Sequence, residues 1–99
     1  MPVATNSPPA AEPVQTGGVR ETANRLAAQL TRLPGAEARL DFGAVEYIES
    51  RELGALVVLN RKVRDAGGRL ALVNVRPFVA GVLEVTRLDT ILDVRRAAA

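Results

Sequence analysis

Residues 40–54 read LDFGAVEYIESRELG, and this stretch decides the fold. Leu40 and Phe42 alternate with Arg39 and Asp41, the two-residue period of a strand with one buried face. After Gly43-Ala44, the residues Val45, Tyr47 and Ile48 suit a short extended loop, and Tyr47 is expected to pack against the sheet. Ser50 then stands where a helix begins. Its hydroxyl is expected to act as N-cap, and Glu52 places negative charge in the first turn. Leu53, Leu56, Val57, Asn60, Val63 and Arg64 mark successive turns up to Ala66, and Gly67-Gly68 stops the helix. The nearly continuous apolar run over 53–59 predicts a central helix buried on more than a narrow stripe.

Working outward, residues 69–75 (RLALVNV) are largely apolar on both faces, which predicts a mid-sheet strand covered by helices on both sides. Pro77 suits a first helical position, and Val79, Val82, Leu83 and Val85 carry that helix to about Arg87. A short extended segment is expected over 91–94. Upstream, Val19, Ala23, Leu26, Ala27, Leu30 and Leu33 recur at three- and four-residue steps, an amphipathic helix that Pro34-Gly35 ends. The order of elements implies a small α/β domain with a mainly parallel sheet and about three helices.

Residues 1–18 hold four of the six prolines and a single charge, Glu12. Residues 1–15 are therefore expected to be a flexible Pro/Ala-rich arm, and 16–99 the folded domain. Val14 suits the end of a short strand over 13–16, which Pro13 would confine to an edge.

Composition narrows the chemistry. The chain has 99 residues, 47% of them hydrophobic, and neither His nor Cys. Imidazole acid/base catalysis, a Cys nucleophile, a Cys/His zinc site and a disulfide framework are all excluded. Thirteen Lys and Arg against eleven Asp and Glu give a formal charge of +2, with the basic residues dispersed, so no nucleic-acid surface is expected. Neither a basic-then-apolar leader nor a membrane-length apolar run is present, and a cytoplasmic protein without membrane insertion is expected. Glu46, Glu49 and Glu52 lack a calcium-type loop and read as a solvated acidic rim rather than a metal site. Gly67-Gly68 precedes a strand, so it does not build a phosphate-binding turn. No cofactor, metal or catalytic residue is expected, and the chain reads as a non-enzyme. Arg61, Lys62 and Arg64 read as a solvated helix face.

The 40–54 segment resembles the signature of STAS domains in bacterial anti-sigma factor antagonists, where a strand and loop of the form L-D-L-G-V-x-F/Y-I/M runs into D-S-S/T-G-L-G at a helix start. Downstream, AGGRLALV over 66–73 resembles the family's A-G-G-x-L-x-L-V. VLEVTRLD over 82–89 resembles V-L-E-L-T-G-L-D. Upstream, TGGVR over 16–20 aligns with T-G-E-L-D. Within this resemblance Ser50 matches the serine phosphorylated in the antagonists, and Glu49 replaces the motif aspartate. Arg51 replaces the second serine or threonine, and Glu52 replaces glycine. Arg20 stands where an aspartate implicated in partner contact is usual.

The resemblance implies a protein-binding switch. The unphosphorylated form would capture an anti-sigma factor with serine kinase activity, and phosphorylation of Ser50 would end the capture. Glu49, Arg51, Glu52 and Arg20 are the implied partner-binding residues. From the residues alone, Ser50 as a plain cap and Glu49 and Glu52 as helix-dipole charges remain open. The alternative within the family is an unmodified STAS scaffold subunit of a lipid-transport ABC complex or a signalling assembly. The family's first strand is not visible in the sequence, which would leave a sheet edge open to self-association.

Overall fold

The computed structural model describes residues 11–29 and 37–97. Its elements run β1 (Glu12–Gln15), α1 (Val19–Gln29), β2 (Glu37–Ala44), α2 (Ser50–Asp65), β3 (Arg69–Val75), α3 (Pro77–Val85), a 3₁₀ turn (Leu88–Thr90) and β4 (Asp93–Arg96). The sheet has the order β1-β2-β3-β4 and every pair in it is parallel. The α/β class and parallel sheet expected from the sequence are the ones observed.

That topology also explains a departure. Each strand is joined to its immediate neighbour through a helix, and the sheet grows in one direction. Crossovers of one hand then place all three helices on the same face. The core agrees: Val14, Ala38, Leu40, Phe42, Leu70 and Leu72 pack with Val19 and Ala23 of α1, Leu56, Leu59 and Val63 of α2, and Val79, Ala80 and Leu83 of α3. The alternate strand positions face away from the helices. There Arg39 and Asp93 both lie in register with Ala71, and each forms an ion pair along its own strand, to Glu37 at 2.6 Å and Arg95 at 2.9 Å respectively. The hydrogen bond from Arg95 to Asp93, and then the carboxylate's charge, raise the Arg95 pKa. The expectation that helices cover both faces of β3 is therefore corrected. Ala71 is buried because it is small and flanked by longer side chains on neighbouring strands, not because a helix lies on it.

Other boundaries also move. β1 joins the sheet edge inside the segment expected to be a flexible arm, and Val14 is buried in the core, so the folded unit begins before residue 16. Residues 1–10, the rest of the expected arm, lie outside the described residues, as do 30–36 with the expected Pro34-Gly35 stop. The last strand begins two residues later than expected, at Asp93, because the 3₁₀ turn takes up the chain after Arg87. α2 is buried along a single stripe of Glu52, Leu56, Leu59, Asn60 and Val63, while Val57 and Val58 are exposed, which corrects the wider burial expected of it.

The helix ends are set locally. Gly67, at φ 80°, donates to the Arg64 carbonyl at 2.9 Å, and Gly68 donates to that of Val63 at 2.8 Å, closing α2 in a Schellman motif. After α3 the equivalent left-handed position is occupied by Arg87 at φ 62°. Asn74, at φ 55°, accompanies the register shift between β3 and β4, and its amide donates to Asp41 Oδ1 at 3.3 Å.

Candidate partner-binding groove

Parallel strands deliver their C-terminal ends to one edge, where the following loops and helix N-termini gather. Here that edge is stitched together by specific hydrogen bonds. The Thr16 hydroxyl donates to the Ala44 carbonyl at 3.0 Å and accepts from the Glu46 N–H at 2.9 Å, tying the β1–α1 turn to the β2–α2 loop. The Arg76 Nε donates to the Gly43 carbonyl at 2.7 Å, bringing the β3–α3 loop to the same place. Gly17, at φ 83°, lets the chain reverse into α1.

The N-terminus of α2 is held by its own acidic residues. Its N-cap is Glu49, with extended backbone at φ −98° and ψ 161°, and Ser50 is the first helical residue. Ser50 is thus not the cap expected from the sequence. Glu52 Oε1 accepts the Glu49 N–H at 2.9 Å, the returning half of a capping box. The Glu49 carbonyl in turn accepts the N–H groups of Glu52 and Leu53 at 2.9 and 3.0 Å. The spacing Glu49-x-x-Glu52 carried this signal in the sequence.

Freed of capping, the Ser50 side chain is exposed, and its hydroxyl makes no hydrogen bond among the described residues. Glu52 is only 2% exposed, a charged residue drawn under the helix end. Arg51 is exposed, and its Nε lies 3.6 Å from Glu49 Oε1. Between the first turns of α1 and α2 runs a groove of about 450 Å³ lined by Gly17, Arg20, Glu21, Asn24, Glu49, Arg51 and Glu52.

The structure therefore brings Arg20, Glu49, Arg51 and Glu52 to one surface, with Ser50 in sequence between two lining residues. Sequence reasoning missed Glu21 and Asn24; the four-residue step from Arg20 could have supplied Asn24, whereas Glu21, next to Arg20 in sequence, carried no such signal. Tyr47 is 52% exposed on the loop rather than packed on the sheet, correcting that expectation. On α2, Ser50, Gly54 and Val58 follow one another at four-residue steps, and all are exposed. Among the described residues, no group of three or more carboxylates could hold a metal ion, and no helix is long and apolar enough to cross a membrane.

Comparisons with known proteins agree with this architecture. A candidate anti-sigma factor antagonist from Thermotoga maritima superposes with a TM-score of 0.70 at 24% identity, covering 88% of this chain and 74% of that one. An anti-sigma-factor antagonist (STAS) domain protein from Planctomyces limnophilus superposes with a TM-score of 0.69 at 23% identity, covering 87% of this chain and 74% of that one. At these identities the likeness establishes a shared fold. No curated protein sequence gave a significant match. The family model described as "Mlab, STAS domain" matches residues 17–93. That match runs from the turn before α1 to the start of β4, and the chain belongs to this STAS-domain family.

Proposed function

We propose that this STAS domain is a non-enzymatic regulatory switch of the cytoplasm. It captures an anti-sigma factor with serine kinase activity on the surface around the α1–α2 groove, and phosphorylation of Ser50 ends the capture. The observation that carries this reading is the exposed Ser50 hydroxyl at the first turn of α2, without a hydrogen bond among the described residues, beside Glu49 and Arg51 of the groove. The helix N-terminus favours an anion by about 0.3–1 kcal/mol, which offsets part of the repulsion between an exposed phosphate and the nearby carboxylates, so the fold persists. Against a docked partner the same added charge, about −1.5 to −2, meets desolvation and the nearby carboxylates, so binding fails.

The test is intact mass after incubation with ATP and the co-encoded kinases, followed by binding of Ser50→Asp. Gain of one phosphate at Ser50, and at least tenfold weaker capture by Ser50→Asp, a loss of about 1.4 kcal/mol, are expected. Equal binding of Ser50→Asp and wild type overturns the switch.

A second reading is an unmodified scaffold subunit docked on an ATPase, including that of a lipid-transport complex. It is favoured by Arg51 and Glu52, which depart from the hydroxyl and glycine of the resembled motif. Stable co-purification of an ATPase without phosphate gain would select it. Self-association is proposed to use the sheet edge at β1, and sedimentation at tens of micromolar showing monomer alone would remove it.

A further inference from the structure

Glu52 uses only one of its two carboxylate oxygens. Oε1 accepts the Glu49 N–H, whereas Oε2 is shut away from solvent with no hydrogen-bond partner among the described residues. Buried carboxylate oxygens are ordinarily satisfied, and one left without a partner in a residue that lines a groove points to a donor supplied by a ligand.

The groove's other groups indicate which donor. Arg51 lies toward Glu49, while Glu21 and Arg20 form no ion pair among the described residues. Glu21, the Asn24 side chain and Glu52 Oε2 are the acceptors left over, opposed by the single cation of Arg20. The positive end of the α2 dipole also opposes a cation. It is equivalent to about half a charge, less than the full charge of the Glu52 carboxylate in the same turn. A guanidinium carries five N–H donors in a fixed fork and no acceptor, so it can satisfy a carboxylate oxygen while reaching acceptors on the facing wall.

We propose that the groove is a receptor for an arginine side chain of the partner, which donates to Glu52 Oε2 and presents its remaining N–H groups to Glu21 and Asn24. This rests on the docking surface proposed above and assigns its partner chemistry. Entry requires the exposed Arg20 and Arg51 side chains, which line the same groove, to swing aside. Glu52 is then the specificity-determining acceptor, and Arg20 a competitor for the same site.

The test is an ¹⁵N NMR titration of the full chain with N-acetylarginine amide, with the uncharged N-acetylcitrulline amide as control. Saturable shifts are expected at the amides of Gly17, Arg20, Glu21, Asn24, Glu49 and Glu52 with the arginine probe, and none that saturate with citrulline. Glu52→Gln keeps a carbonyl oxygen for the Glu49 N–H but turns an NH₂ donor to the groove, and should weaken arginine binding at least tenfold while melting within a few degrees of wild type. Arg20→Ala, at an exposed position, should tighten it severalfold and remains decisive if Glu52→Gln fails to fold. No saturable shift, unchanged binding by Glu52→Gln, or weaker binding by Arg20→Ala overturns the proposal. Kinase capture that persists when arginine binding is absent overturns this assignment alone. Arginine binding that persists when kinase capture and Ser50 phosphorylation are absent overturns the proposed function instead.

Discussion

The Thr16 hydroxyl donates to the Ala44 carbonyl at 3.0 Å, joining positions 28 residues apart, and the same oxygen accepts the Glu46 N–H. The β1–α1 turn and the β2–α2 loop are thereby one rigid piece. Thr16→Val keeps the shape and removes both bonds, and should cost about 1 kcal/mol in a chemical melt. The Glu46 amide should exchange with solvent faster in the same variant. An unchanged exchange rate would show that the loops hold together without this hydroxyl.

Ser50→Ala should be nearly neutral. A true N-cap serine is worth about 1 kcal/mol, but Ser50 is the first helical residue and its hydroxyl bonds nothing among the described residues. The free energy of unfolding from a denaturant titration should fall within about 0.5 kcal/mol of wild type. A loss twice that size would return the capping role to Ser50.

Gly54 lies inside α2, and a methyl added there would meet no described atom beyond its own stretch of helix within 4 Å. Its absence of side chain is not required by the protein's own packing. Gly54→Ala should stabilise the helix by about 0.8 kcal/mol. Because Gly54 is exposed in line with Ser50 and Val58, the same variant should weaken capture of the partner. Gain in stability together with undiminished binding would take Gly54 out of the docking surface.

Arg87 holds a left-handed conformation at φ 62°, at the position where the resembled motif has glycine. A residue with Cβ there costs about 1–2 kcal/mol, partly offset because glycine loses more freedom on folding. Arg87→Gly should therefore stabilise by about 0.5–1 kcal/mol, raising the melting midpoint by a few degrees. Differential scanning calorimetry reads the sign directly.

Val14 sits in β1 and is 1% exposed. Val14→Ala should cost about 2 kcal/mol from the buried methyl groups lost and the cavity left. Urea titration would detect it, and a neutral result would return β1 to the status of an arm.

The legible parts of the fold were those whose signals are local. The pattern of 69–75 bounded by Gly68 and Arg76 gave β3 its observed limits, and the periodic run closed by Gly67 placed α2 within one residue at each end. β4 was misplaced because the chain after Arg87 is shaped by a left-handed residue and a 3₁₀ turn, neither of which has a hydrophobic period. The bare face of the sheet was illegible because Ala71 and Val73 are apolar on either account. Only the same-handed crossovers reveal that none of the described helices reaches them. At the site, spacing gathered Arg20, Glu49, Arg51 and Glu52 through the family motif, but it gave no hint that Glu52 is buried. Charge argues for solvent exposure, and here the reciprocal hold on Glu49 outweighs it.

β1 is four residues long, lies at the sheet edge, and ends on the turn that supplies Thr16 and Gly17. A short strand paired on one side among the described residues opens locally at less free energy than the central strands, and its opening would dismantle one wall of the groove while the rest of the core stays folded. Occupancy and strand closure are therefore thermodynamically linked: the fraction of molecules with β1 open lowers apparent affinity by that fraction, and a bound ligand slows amide exchange in a strand it does not touch.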